Sequence, residues 1–332
     1  MFPRLSSGRA FALTSLALLL PLFAAAQSVG STAPFTISVS PQNLAPYSSA
    51  SISVLSTSLD LPNATMTVSV DGAKTYTGNV QPVAVPLGGS GSRTTVKVTL
   101  TTNGQPYTAS VVLVPQDVAL VAEPVSSAPA LYPGKPLVPL EGATRVVAVA
   151  NLRTASGKPI DPAALAYTWT VDGTVEGNAS GIGKEAILVA SPLEYRSRDI
   201  SVSVSSQDGT LGGGAALSLT PQEPTVRIYG EDPLLGILFD HAFTGTAALT
   251  GSEASLFGAA YSFPTSGGAP SLTWYLNGAT AQTGSTLTLR PTGSGQGSAG
   301  VSLSATAGTY ANANASLTLT FGAQPSTNLF GL

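Results

Sequence analysis

Three short segments of the 332-residue chain carry one pattern, and they lie 101 and then 105 residues apart. They are Thr67-Val68-Ser69-Val70-Asp71-Gly72, Thr168-Trp169-Thr170-Val171-Asp172-Gly173 and Thr273-Trp274-Tyr275-Leu276-Asn277-Gly278. In each, two apolar residues stand two apart: Val68 and Val70, Trp169 and Val171, Trp274 and Leu276. Period two places each pair on one face of a strand. Asp-Gly or Asn-Gly follows at once, and both positions tolerate the positive φ that a two-residue hairpin turn demands.

The flanks repeat as well. A strand-like run precedes each hairpin: Ala50–Ser56, Arg145–Leu152 and Ala254–Phe263. A short strand follows it: Val83–Val85, Ala186–Ala190 and Thr286–Leu289. Then comes an alternating run: Thr94–Thr101, Asp199–Ser205 and Gly300–Ala305. A last strand closes each unit: Tyr107–Val114, Leu211–Leu219 and Ala315–Phe321. Short strands and turn signals at this spacing predict an all-β chain of antiparallel β-sandwiches. Pro115 and the Pro221–Pro224 stretch divide it into units at 33–115, 117–221 and 224–321, with a flexible tail at 322–332. Short Pro-bearing linkers are semi-stiff, so a rod is expected more than a loose string.

The N-terminus reads as a targeting segment. Arg4 and Arg9 form a short positive region, Ala10 to Phe23 is apolar, and Ala24-Ala25-Ala26 offers small residues for cleavage. Residues 1–26 are therefore expected to be a secretory signal peptide. The apolar run is short for a membrane span and holds Pro21. No lipid-anchor cysteine follows, and no later stretch predicts a transmembrane anchor in the mature chain Gln27–Leu332. Loss of Arg4 and Arg9 leaves 12 basic against 17 acidic residues. A mildly acidic, charge-poor chain is a poor match for nucleic acid.

Tyr167-Thr168-Trp169-Thr170-Val171-Asp172-Gly173 resembles the strand-and-turn core of bacterial secreted Ig-like and PKD-type tandem-repeat surface proteins. Val68 takes the Trp place in the first unit, and Asn277 replaces Asp in the third. The Trp-x-Phe-Gly-Asp-Gly pattern of PKD domains is absent, so Ig-like describes the chain better. The third unit opens with Tyr229-Gly230-Glu231-Asp232-Pro233-Leu234-Leu235-Gly236, similar to a stretch in secreted repeat proteins associated with pili. The resemblance implies three tandem Ig-like sandwiches exported to the cell envelope.

Candidate chemistry is sparse. The chain has no cysteine and one histidine, His241, which removes disulfides, thiolate metal sites and any mechanism needing two imidazoles. No Gly-x-Ser-x-Gly elbow accompanies His241, so no serine hydrolase is expected. Glu231, Asp232, Asp240 and His241 are the candidates for a carboxylate-rich calcium or zinc site; the plainer reading is a solvated polar loop, and no cofactor is expected. Trp169 and Trp274 share phase with an apolar residue two places on, so they are expected in the core. Leu234, Leu235, Ile237, Leu238 and Phe239 form an apolar run that ignores strand alternation. It is either packed cover or the chain's partner-binding surface.

The leading expectation is a non-enzymatic secreted or cell-envelope structural or adhesion protein, associated with a pilus or other fibre. Its partners would be other envelope or fibre proteins. The alternative is a carbohydrate-binding or carbohydrate-active protein that meets glycans on a sandwich face. A row of exposed aromatics would favour that alternative; buried tryptophans would not.

Overall fold

Each of the three hairpins turns on left-handed residues: Asp71 and Gly72 at φ 48° and 84°, Asp172 and Gly173 at 49° and 79°, Asn277 and Gly278 at 50° and 83°. The side chain does a second job. Asp71 Oδ1 accepts from the Thr95 amide at 2.7 Å, Asp172 Oδ1 from that of Asp199 at 2.9 Å, and Asn277 Oδ1 from that of Gly300 at 2.8 Å. One acceptor oxygen on a short side chain meets both needs, so Asn serves in the third unit as well as Asp does in the others.

The computed structural model describes residues 33–249, 252–290, 292 and 296–322. The expected signal segment and nearly all of the expected tail lie outside the described residues.

The first unit holds β1 (Thr36–Ser40), β2 (Ser49–Leu55), β3 (Thr65–Val70), β4 (Ala73–Asn79), β5 (Val83–Pro86), β6 (Thr94–Thr102) and β7 (Gln105–Leu113). They form two antiparallel sheets, β1-β2-β5 and β4-β3-β6-β7. The second unit repeats this order with β8 (Asp117–Pro124), β9 (Ala143–Asn151), β10 (Ala166–Val171), β11 (Thr174–Val175), β12 (Gly181–Ile182), β13 (Ala186–Ala190), β14 (Arg198–Ser205) and β15 (Gly212–Leu219). Its sheets are β8-β9-β13 and β11-β10-β14-β15, with β12 also on β10. In the first unit β1–β2, β3–β4 and β6–β7 pair within a sheet, while the chain crosses between the sheets at β2–β3, β4–β5 and β5–β6, the connectivity of an Ig-like sandwich.

The third unit keeps the plan and adds to it. Its strands are β16 (Thr225–Asp232), β17 (Gly236–Ala242), β18 (Gly245–Leu249), β19 (Ala254–Tyr261), β20 (Ser271–Leu276), β21 (Ala279–Thr283), β22 (Thr286–Leu289), β23 (Gly297–Ala307) and β24 (Ala311–Phe321). The sheets are β17-β16-β19-β22 and β18-β24-β23-β20-β21. The extra hairpin β16–β17 precedes β18, which crosses to the other sheet and pairs with β24 in parallel. Among the described residues no helix is long and apolar enough to cross a membrane.

Each unit has its own hydrophobic core. Ile52, Met66, Val68 and Leu100 centre the first, Trp169 with Val146, Leu152 and Ile200 the second, and Trp274 with Ile228, Phe263 and Leu303 the third. Both indoles are fully buried, as their phase predicts, and each donates its N–H to a main-chain carbonyl: Trp169 to Lys184 at 2.8 Å and Trp274 to Gly284 at 2.9 Å. A buried indole needs that acceptor. The facing strand makes room. A Cβ on Gly258 of β19 would lie 2.9 Å from the Trp274 ring and 2.5 Å from Leu303. Counting from the register with the next strand of the same sheet, the matching positions are Ala148 beside the Trp169 unit and Ile52 in the unit that has Val68. Small residues accompany the large ring and a larger one accompanies valine, as close packing requires.

Candidate interaction site

The β16–β17 hairpin divides the apolar run that the sequence singles out. At its tip Asp232 Oδ1 accepts from the amides of Leu234 at 2.8 Å and Leu235 at 2.9 Å. These amides, Leu235's first, hold the Asp232 carboxyl below its ordinary value. Gly236 closes the turn at φ 76°. The two leucines point into solvent, 94% and 77% exposed. Beyond the turn, alternation resumes: Ile237 and Phe239 are half-buried, while Leu238 and Asp240 are exposed. Leu238 and Phe243 both reach over Gly230, which a Cβ would bring to 3.6 Å from either side chain.

Phe239 belongs to an aromatic cluster on the outer face of the sheet. Its ring meets Tyr229 at 5.2 Å, Phe257 at 6.3 Å and Tyr132 at 5.6 Å, all edge to face. Tyr132 also meets Tyr261 at 5.0 Å, and the Tyr261 hydroxyl donates to that of Tyr229 at 3.0 Å. Burial, then the Tyr229 hydroxyl, drives the Tyr261 phenol well above its ordinary value. Edge-to-face pairs add stabilisation beyond the area they bury.

Tyr132 comes from the second sandwich. Residues 125–142 leave β8, run onto the third sandwich and return to β9. This strap carries Pro129, Pro133, Pro136 and Pro139. The Ser127 amide donates to Phe263 O at 2.8 Å, the Ser262 amide to Ser127 O at 3.0 Å, and the Thr265 amide to Val125 O at 3.2 Å. Ser127 Oγ accepts from the Phe263 amide at 3.1 Å. At the far end the Glu141 carboxylate accepts from the amides of Thr309 and Tyr310, the shortest at 3.0 Å. The prolines alone signalled the strap in the sequence, and nothing local said where it would lie.

The Tyr310 amide, then that of Thr309, keeps the Glu141 carboxyl below its ordinary 4.5. A carboxyl depressed in the folded state contributes stability above its unfolded pKa, and that contribution is lost as pH falls through the folded value. Acidification below the ordinary 4.5 is therefore expected to weaken this joint. Glu141→Gln should flatten that part of the pH dependence of the third unit's denaturant midpoint; an unchanged slope would remove the carboxylate from the joint.

The other joint is built differently. Gln116, 2% exposed, grips the second sandwich with both ends of its amide. Its Oε1 accepts from the Arg153 amide at 2.7 Å, and its Nε2 donates to Arg153 O at 3.1 Å. Its own amide donates to Leu44 O of the first sandwich at 3.0 Å. Ser90 Oγ donates to Asn151 O at 3.0 Å, and Gly91, at φ 79°, packs so tightly on Arg153 that a Cβ would meet its Cβ at 2.9 Å.

Three of the four candidate cation ligands go to separate tasks, and Asp240 is exposed. Asp232 caps the hairpin tip, Glu231 accepts from Ser255 Oγ at 3.3 Å, and the His241 ring stands edge-on to Phe243 at 6.1 Å. Among the described residues no three His, Asp or Glu side chains gather as a metal site would need. Two shallow, solvent-facing hollows lie on the β10–β14–β15 and β20–β23–β24 sheets, neither lined by an aromatic side chain. The highly exposed tyrosines, Tyr47, Tyr195 and Tyr310, lie on three different sandwiches and form no row.

No known family profile and no curated protein sequence matches the chain. Solved structures of tandem-domain proteins do. The three N-terminal domains of the Highly Immunogenic Outer Capsid protein of bacteriophage RB49 align over 88% of this chain and 100% of theirs, at 14% identity and a TM-score of 0.25. Sidekick-1 immunoglobulin domains 1–5 align over 89% of this chain and 59% of theirs, at 15% identity and 0.29. Fibronectin(III)-like modules of Clostridium thermocellum CbhA cover 59% of this chain and 95% of theirs, at 10% and 0.23. The Ig-like assignment rests on the strand order itself.

Proposed function

We propose that this protein is a non-enzymatic, exported structural or adhesion protein of the cell envelope, a short stiff spacer that presents the β16–β17 tip to an envelope or fibre partner. One observation carries the reading: the sandwiches are tied by hydrogen-bonded joints instead of free linkers, at buried Gln116 and along the strap. Ordered joints keep the ends of an array at a fixed separation, which is what a spacer does and what a flexible string of modules does not. The units run 33–115, 117–221 and 224–321, preceded by a cleaved signal peptide. The tip suits docking because its turn is already fixed by Asp232, so little conformational freedom is lost on contact. Both tryptophans are sealed in cores, and among the described residues the most exposed tyrosines form no row, which favours this reading over the glycan alternative.

Expression in a bacterial host followed by cell fractionation tests this reading. The expected result is an envelope or extracellular protein whose N-terminus is Gln27. Leu234→Ser with Leu235→Ser should leave the unfolding free energy within about 0.5 kcal/mol of the parent, as surface changes do, and release the protein from the envelope. A full-length chain held in the cytoplasm sinks the export reading, and undiminished retention of the double variant sinks the tip.

A further inference from the structure

The strap makes every feature of a recognised ligand while staying part of the chain. It adds extended backbone beside residues 262–265, including an antiparallel bridge between Ser126 and Pro264. It seats one aromatic side chain, Tyr132, against Phe239 and Tyr261. It ends with a carboxylate, Glu141, on two amides of the β23–β24 turn. Extended proline-rich segments are commonly read this way, through backbone pairing and an aromatic-lined surface.

None of these contacts depends on the two sandwiches sharing one chain. The core of the third sandwich is drawn entirely from its own residues, from Val226 onward. It therefore stays folded if it swings away from the strap. The covalent tie is the short run Thr220-Pro221-Gln222-Glu223-Pro224, itself pinned to the strap by the Gln222 amide on Val138 O at 2.8 Å. We infer that the aromatic outer face of the third sandwich is a binding site for the proline-rich strap 125–142 of a second copy, and that the chain self-associates by exchanging this contact. Exchange keeps each interaction and changes only which copy supplies it, so its balance is set by linker strain and concentration. Reciprocal exchange of the third sandwich gives a closed dimer. This goes beyond the spacer reading, which holds equally for a single copy, so its failure leaves that reading in place.

The chain has no cysteine, which makes a cross-linking test clean. Full-length mature copies carrying Ser126→Cys and copies carrying Pro264→Cys are mixed at high concentration and oxidised. The expected main product is the covalent heterodimer, with the strap of one copy on the face of the other. Tyr132→Ala in the Ser126→Cys copy removes the ring contact from the closed and the exchanged forms alike, so the yield should stay within about twofold, because linker strain and concentration set the balance. A chain carrying both cysteines, oxidised when dilute, should close within itself, which shows that both substitutions keep the fold and the contact. Homodimers alone from the mixture, or heterodimer in no more than its statistical ratio to the two homodimers, overturn the exchange. Failure of the double variant to close overturns the contact on which it rests.

Discussion

Trp274→Ala is expected to destabilise the third sandwich by about 3–5 kcal/mol, the usual cost of truncating a fully buried indole. The ring is sealed from solvent, and its N–H has an acceptor in Gly284 O at 2.9 Å. Removing it leaves that carbonyl unpartnered and opens a cavity that Gly258 has no side chain to fill. Neighbouring Leu303 closes only part of the gap, and incomplete collapse raises the cost. Denaturant unfolding of the full chain should show the third unit melting early while the first keeps its midpoint. An unchanged midpoint would mean that the indole is not part of the core.

Gln116→Ala should cost about 2–3 kcal/mol at the first joint, because it strands two main-chain groups of Arg153 together. Gln116 supplies both an acceptor and a donor to that residue, at 2.7 and 3.1 Å, and it is 2% exposed. Water could replace a lost surface hydrogen bond at little cost, but not one made in a buried joint. The effect should appear as a change of shape as well as of stability. Small-angle scattering of the parent should fit one extended envelope, and that of the variant should need a spread of angles between the first and second sandwiches. A variant with the parent's scattering curve and midpoint would show that Gly91 packing and the Ser90 hydrogen bond hold the joint without it.

Much of the fold is legible in the sequence because its signals are local. The Asp-Gly and Asn-Gly turns, the period-two pairs and the phase of Trp169 and Trp274 each depend on a few adjacent residues. The strand after each hairpin falls where its apolar residues place it: Ala186–Ala190 and Thr286–Leu289 agree with the structure end for end. The long β23–β24 hairpin is less visible. Gly297–Gly300 and Ala311–Asn314 are small or polar residues with weak strand preference; the first are recruited by pairing with Thr318–Phe321, the second by pairing with Ser304–Ala307.

The apolar run Leu234–Phe239 shows where local reading stops. Its composition marks it as unusual, but not that two leucines would cap a turn and Phe239 would pack. That division depends on Asp232, whose side chain sets the turn, and on Tyr132, more than a hundred residues earlier in the chain. Glu231, Asp232, Asp240 and His241 look like one cluster when read along the chain. The turn and the register shift at Gly230 leave Asp232 on the Leu234 and Leu235 amides, Glu231 on Ser255 and His241 beside Phe243.

The sequence by itself therefore determined the class of fold, its threefold repetition, the inward tryptophans and the turn chemistry, since strand period and left-handed turns are properties of short segments. Only the tertiary structure decided the joints. Gln116 and Glu141 are ordinary polar residues until a neighbouring sandwich presents Arg153 or the Thr309–Tyr310 amides to them. The strap, likewise, is a proline-rich stretch with no local partner. Its role comes from an aromatic face assembled by β16, β17 and β19, because long-range packing depends on shapes that no short stretch of chain encodes.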